Sequence, residues 1–438
     1  MNLRIWAVLA LCTLLPSVLA EPGLTRGHSV ESGSARRSLV DSFDSLKSRN
    51  FFASALRQRS QPEVESLEEL ASKAEEAEEK RDLTNEAGLV KRDNAVETNQ
   101  NGSQYIWMLA DTYAGETFYD NMTFFSTRDP TNGLVTYVDR DRSFSQNYTY
   151  VRDDGVVIMQ SDMKSWVPLG GHRESVRIET QKAYTGGLFI LDLQRAPWGC
   201  AIWPAFWTTA ANAFWPRDGE IDILEGVHDN EHNQITWHTN EGCYLDDEGD
   251  VWTGELEHPN RTDKGISCIG FIGCGITEWS RASYGPYFEE QGGGILAMKW
   301  DDEMIAVWSF FRAAIPPDVT TGMPTPSTWG KPSAVLRNTK CNITQHFRDH
   351  VIIFDITFCG DLAGNNYNTA PNCPGTCAER MMDPANFVNA SWEINSLKVY
   401  EKSPIYATVR SDASPSMAPW LSMLVSSVVV AGLSYSFS

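Results

Sequence analysis

Three acidic residues stand close together in the segment Gly219-Glu220-Ile221-Asp222-Ile223-Leu224-Glu225-Gly226. Side chains of an extended strand alternate between its two faces. Glu220 and Asp222 therefore share one face, while Ile221 and Ile223 point towards a core. Strict alternation would turn Glu225 into that core and Leu224 outward, and an unpaired buried carboxylate costs on the order of several kcal/mol. A β-bulge removes the conflict. If Ile223 and Leu224 together oppose one residue of the neighbouring strand, Glu225 returns to the face of Glu220. Two carboxyls so placed could work as a pair on a glycosidic bond, one attacking the anomeric carbon and the other protonating the departing oxygen, at a separation of about 5–5.5 Å. Asp222 would hydrogen-bond the nucleophile, and its charge would favour a protonated Glu225. The plain alternative is a solvated acidic strand face.

The flanking residues bear on that choice. Trp203-Pro-Ala-Phe-Trp207 and Trp215-Pro216 lie upstream. Tryptophan offers a broad apolar face with a polar N–H at its edge, suited to stacking on a sugar ring, so Trp203, Trp207 and Trp215 are candidate substrate-binding residues. Each could equally fill a core. His238, in Gln234-Ile-Thr-Trp-His-Thr239, falls on the next predicted strand. It is a candidate to hydrogen-bond the nucleophile side or a sugar hydroxyl, with a satisfied core histidine as the other reading.

The elements that must carry these residues read as short strands. Residues 175–180, 219–223, 234–239, 297–300, 304–308, 351–357 and 392–399 alternate apolar and polar positions, with Gly, Pro, Asn and Asp between them. No long helical period or internal repeat interrupts them. This pattern predicts an all-β sandwich, with one domain over residues 93–402.

Together these segments resemble glycoside hydrolase family 16, in its fungal laminarinase and mixed-linkage glucanase branch. Glu220-Ile-Asp-Ile-Leu-Glu225 is similar to the bulged form of that family's signature. Ser175-Val-Arg-Ile-Glu179, Trp203-Pro-Ala-Phe-Trp207, Gln234-Ile-Thr-Trp-His-Thr239, Gly292-Gly-Gly294, Ile315-Pro-Pro317 and Phe358-Cys-Gly-Asp361 also match, so the likeness runs from about residue 103 to 400. It implies a concanavalin A-like β-jelly-roll with an open concave glucan cleft, Glu220 as nucleophile, Asp222 as its assistant and Glu225 as acid/base. Leu362 departs from the tryptophan that many relatives carry there, which weakens any transfer of fine specificity. The implied activity is endo-hydrolysis of β-1,3 or mixed β-1,3/1,4-glucan. A wall-remodelling transglycosylase would use the same glutamates. A silent glucan-binding protein would not need all three acids, and an anchored structural protein would not need the tryptophans.

The chain ends read as addresses. Residues 1–20 combine Arg4, an apolar run and Val18-Leu19-Ala20, as a secretory signal does. Six Asn-x-Ser/Thr acceptors, at Asn101, Asn121, Asn147, Asn260, Asn342 and Asn389, fit that route. Residues 21–92 hold no Cys or Trp and are dominated by Glu and Ala from Glu63 to Glu79, as expected of a disordered pro-segment or linker ending at Lys91-Arg92. Residues 403–438 carry small residues at Ser411-Asp412-Ala413, a short spacer and an apolar stretch from Trp420, the pattern of a glycosylphosphatidylinositol (GPI) anchor signal. The protein is thus expected to be secreted and tethered at the cell surface or in the wall, meeting membrane only through lipid. Cys12 leaves with the signal, and eight cysteines remain for up to four disulfides. Cys373 and Cys377 have zinc-like spacing, but no nearby histidine or second close pair completes a ligand set. The acids Asp246, Asp247, Glu248 and Asp250 lack a calcium-loop pattern and read as a solvated turn. No metal or cofactor is expected. A net charge of −21 argues against nucleic acid as partner, leaving a neutral β-glucan and a monomeric enzyme as the expectation.

Overall fold

A computed structural model of the protein describes residues 95–257, 261–370 and 372–405. The signal-like segment, the acidic segment with its dibasic pair, the anchor-like tail beyond residue 405 and Asn260 lie outside the described residues.

Alternating strands of this sequence have one apolar face each, and two sheets bury those faces against one another. One sheet carries the candidate site. In chain order its strands are β1 (Met122–Phe124), β2 (Arg177–Thr180), β3 (Ile202–Ala210), β4 (Glu220–Glu225), β5 (Asn233–His238), β6 (Glu255–Glu257), β7 (Cys274–Glu278) and β8 (His350–Phe358). Across the sheet they run β6-β7-β5-β4-β3-β8-β2-β1, every pairing antiparallel. The second sheet is built on the strands 104–113, 391–404, 187–195, 294–300, 304–311 and 334–337, in that order. The result is the expected β-jelly-roll sandwich. Helices are short, the longest among the described residues being Arg140–Ser145, and none is long and apolar enough to cross a membrane.

The inner faces interlock through aromatic residues. Phe206 of β3 stacks on Phe354 of β8 at 4.7 Å, and Phe354 meets Trp392 of the second sheet edge-on at 5.4 Å. Each is almost fully buried, and burial of such a side chain contributes roughly 1.5–3 kcal/mol. The Trp392 indole also donates to the Asp355 carbonyl at 3.0 Å, fixing the backbone of β8 behind the site.

The strand segments read from the sequence are all strands, with one break. Residues 175–180 divide at Val176: Arg173–Ser175 pairs in parallel with Val135–Tyr137, and β2 begins at Arg177. The eight cysteines form four disulfides, Cys200–Cys373, Cys243–Cys341, Cys268–Cys274 and Cys359–Cys377, so Cys373 and Cys377 belong to different bridges. Asp246, expected on a solvated turn, is buried. Burial pushes this carboxyl up, but Thr339, which donates to it, and Lys340 and Arg337, which pair with it at 3.0 Å each, hold it below the usual range.

Candidate active site

The bulge lies where the acids require it. Against β3, Glu220, Ile221 and Asp222 oppose Thr209, Thr208 and Trp207, then Leu224 and Glu225 oppose Phe206 and Ala205. Against β5, Asp222 opposes Thr236 and Glu225 opposes Gln234. Ile223 and Leu224 together therefore face Ile235, and both are fully buried beside Ile221. A bulge leaves backbone groups without ladder partners, and Asn233 supplies them. Its Oδ1 accepts from the Glu225 backbone N–H at 2.9 Å, and its Nδ2 donates to the Ile223 carbonyl at 2.8 Å. Before β4, Gly219 adopts φ +89°, and a Cβ there would lie 2.5 Å from the His346 carbonyl oxygen and 2.4 Å from the Phe347 ring. Only glycine brings the chain into Glu220 along this path.

Glu220, Asp222 and Glu225 then project from one face, each with an aromatic partner. Trp215 Nε1 donates to Glu220 Oε2 at 3.0 Å, and Trp203 Nε1 donates to Glu225 Oε1 at 2.9 Å. His238 Nε2 stands 3.2 Å from Asp222 Oδ2 and 3.9 Å from Glu220 Oε1. The fourth candidate, Trp207, donates instead to Asp355 Oδ2 at 3.1 Å. All seven residues singled out in the sequence thus meet in one cluster. Trp215 remains half-exposed, whereas Trp203 is nearly buried and offers chiefly its N–H.

Electrostatics follows from packing these acids together. Burial first, then the charge of Asp222, push Glu220 up to about 8. Burial, then Asp355, push Asp222 to about 8. Burial, then Asp222, push Glu225 to about 7, with the Trp203 N–H opposing. Burial likewise raises Asp355 to about 7 despite Arg177. Near neutrality the cluster therefore holds protons, and ionising one member keeps its neighbours protonated. The set titrates as one coupled unit, so one glutamate can stand ionised as a nucleophile while the other holds the proton as an acid.

Several site residues went unread in the sequence. Ala205 lies between Glu225 and Asp355 in the ladder, its small side chain leaving the space between them open. Arg177 lies opposite Asp355 on β2, pairs with Glu179 at 2.8 Å and covers the Trp207 ring at 4.9 Å. Asp355 and Arg177 both sit at polar positions of alternating strands, and Arg177 also falls within the matched Ser175–Glu179 segment, but neither signal ties its side chain to the three acids. Glu220, Asp222 and His238 offer ligand atoms all within 4.8 Å, the donor types of a metal centre. The Cys200, Asp229 and Cys373 group has both sulfurs committed to a disulfide.

Residues 122–400 match the XgeA-like catalytic GH16 domain. The chain belongs to glycoside hydrolase family 16. It is 40% identical over 296 residues to a probable glycosidase of Schizosaccharomyces pombe, spanning 67% of this chain and 69% of that protein. It is 40% identical over 303 residues to an endo-1,3(4)-β-glucanase of Arthroderma benhamiae, spanning 68% and 65%. Against a probable endo-1,3(4)-β-glucanase of Aspergillus clavatus the match covers about half, 49%, of the relative. In three dimensions the chain is similar to an elongating family 16 β-1,3-glucosyltransferase, with TM-score 0.62 and 37% identity over 67% of this chain and 100% of the other. It is equally similar, with TM-score 0.62 and 36% identity over 67% and 99%, to laminarinase 16A of Phanerochaete chrysosporium, solved with 6-O-glucosyl-laminaritriose in donor and acceptor sites.

Proposed function

We propose that the protein is a secreted, retaining endo-hydrolase of β-1,3 or mixed β-1,3/1,4-glucan. The observation that carries this reading is the bulge in β4, which returns Glu225 to the face of Glu220 with Asp222 between them. Ionised Glu220 attacks the anomeric carbon while Glu225 donates its proton to the leaving glycosidic oxygen. The glycosyl-enzyme ester then breaks when Glu225, now a base, takes a proton from the incoming water. Asp222 keeps a proton within reach of both, shared with His238. Trp203, Trp207 and Trp215 hold the carboxylates through their N–H groups, and Trp215 offers its exposed face to a sugar ring. The names of the fungal relatives support the substrate class.

The likeness to an elongating glucosyltransferase favours a second reading, transfer to a sugar hydroxyl in place of water. The same glutamates serve both outcomes, and the acceptor decides. Products from a pure β-1,3-glucan, a mixed-linkage glucan and cellulose, analysed side by side, test both. Short oligosaccharides from the first two support hydrolysis, and products longer than the donor support transfer. No change in any of the three would overturn the proposal. Secretion and a GPI tether belong to the same proposal, resting on the two terminal segments, and intact mass of the mature protein checks them.

A further inference from the structure

The loop between residues 268 and 274 reads Cys-Ile-Gly-Phe-Ile-Gly-Cys and is closed on itself by the Cys268–Cys274 disulfide. Its three large apolar side chains do no core work: Ile269, Phe271 and Ile272 are all exposed. A ring this short also restricts the unfolded chain less than the other three bridges do. What the loop does is grip one side chain.

It pairs with the backbone on both sides of His238. Cys274 is in register with Trp237, and Ile269 bridges Thr239, where Thr239 N donates to the Cys268 carbonyl and Gly270 N to the Thr239 carbonyl, each at 2.8 Å. Within that frame His238 Nδ1 lies 2.8 Å from the Gly270 carbonyl oxygen. A carbonyl only accepts, so Nδ1 carries a hydrogen. Gly273, at φ +64°, lies against the ring: a Cβ there would fall 2.7 Å from Nδ1 and 2.8 Å from Cε1. The Trp215 ring lies near the imidazole, centroids 5.8 Å apart. The loop contributes no titratable group, and the charged groups facing the imidazole all come from β4: Asp222 and Glu220 in contact, and Glu225 beyond.

From this geometry we infer that the disulfide-closed loop is a positioning element for the catalytic carboxyls. The Gly270 carbonyl sets the tautomer of His238, and the bare Cα of Gly273 sets its ring plane, so that Nε2 and Asp222 share one proton beside Glu220. The inference rests on the roles proposed above for Glu220, Asp222 and Glu225. His238 acts through Asp222 and Glu220 and is a positioning residue.

The test compares the purified full chain with Gly273→Ala, Ile272→Ala and Glu220→Gln. Gly273→Ala displaces the imidazole, so kcat should fall roughly ten- to a hundredfold, with KM changed by less than about twofold and the pH profile of kcat displaced. Ile272→Ala, at an exposed position of the same loop, should keep both kcat and the profile. Wild-type kcat and pH profile in Gly273→Ala would overturn the inference. Should that variant fail to fold, ¹⁵N NMR of the imidazole in the unaltered protein decides: a protonated Nδ1 at neutral pH is expected, and a bare Nδ1 refutes it. Full activity in Glu220→Gln would instead sink the catalytic reading, and the tautomer measurement would then test the loop on its own.

Discussion

Asp222 is the residue through which the site's charges communicate. It has the largest coulombic effect on both glutamates, second only to burial. The three carboxyls share protons as one coupled set, and Asp222→Asn removes the charge Asp222 carries in those states where Glu225 holds the proton, so Glu220 and Glu225 should ionise at lower pH. Glu225 must be protonated for the first step, so activity falls as pH rises through its titration, which burial and then the charge of Asp222 raise. The basic limb of kcat/KM should therefore move down in Asp222→Asn, and the acidic limb with it, by about a unit or more. A basic limb that stayed or moved up would contradict this placement. At this scale the sequence was most legible where residues stand in one segment: the spacing of Glu220, Asp222 and Glu225, with one bulge, puts all three on one strand face. Asp355 was not legible, because its link to them runs across β3 and through the Trp207 N–H, neither of which leaves a trace in its own neighbourhood. The role of Trp203 was half legible, its proximity foreseen but its N–H bond to Glu225 not.

At the scale of the element, the bulge in β4 makes a strand with five-residue acid spacing useful. It was legible because Ile223-Leu224 sets two apolar residues side by side within an alternating pattern, and burying both is favourable. What stabilises it was not legible. Asn233 begins β5 on the inner face and is fully buried, a position where a polar residue reads as an ordinary strand end. Asn233→Ala would leave the Glu225 N–H and the Ile223 carbonyl without partners. A loss of about 2–4 kcal/mol is expected in urea unfolding, since each unsatisfied buried group costs roughly 1–3 kcal/mol. Among the folded molecules kcat should fall as Glu225 loses its setting. Unchanged stability would mean that the bulge holds by packing alone.

Across the whole molecule, burying carboxyls ties stability to pH in one direction. Glu278 of β7 faces inward, 4% exposed, accepts from Ser309 Oγ at 2.7 Å, and is raised by burial to about 7. Its ordinary value applies in the unfolded chain. A group raised on folding contributes its full stabilisation below its unfolded titration, and that contribution disappears as pH rises to the folded one. Between about 4.5 and 7, therefore, the wild type loses stability through Glu278, at about 1.4 kcal/mol per pH unit. Glu278→Gln keeps the shape and removes the titration, so its stability relative to wild type should climb over that interval by as much as ~3 kcal/mol. Melting at pH 4.5 and pH 7 checks this, and a constant difference would contradict it. The fold itself was legible at this scale from strand alternation and family likeness, while the pairing of the eight cysteines was not, because it depends on which loops the sheets bring together. Four of the six glycosylation acceptors, Asn101, Asn121, Asn147 and Asn342, are exposed on the folded domain, as sugar attachment requires.

The central claim is that Glu220 and Glu225 play different parts in one retaining reaction, and azide separates them. Glu225→Ala keeps the nucleophile, so an aryl β-glucoside with a good leaving group should still form the glycosyl-enzyme, which then stalls for want of a base. Azide needs no base and should restore turnover, releasing a β-glycosyl azide. Glu220→Ala keeps the acid/base but forms no glycosyl-enzyme. With azide and an activated β-glycosyl fluoride it should give the α-azide by a single inversion. The anomeric configuration of the two azides, read by ¹H NMR, is the deciding measurement. Opposite configurations would reverse the two roles, and activity surviving both substitutions without azide would reduce these carboxyls to a polar strand face.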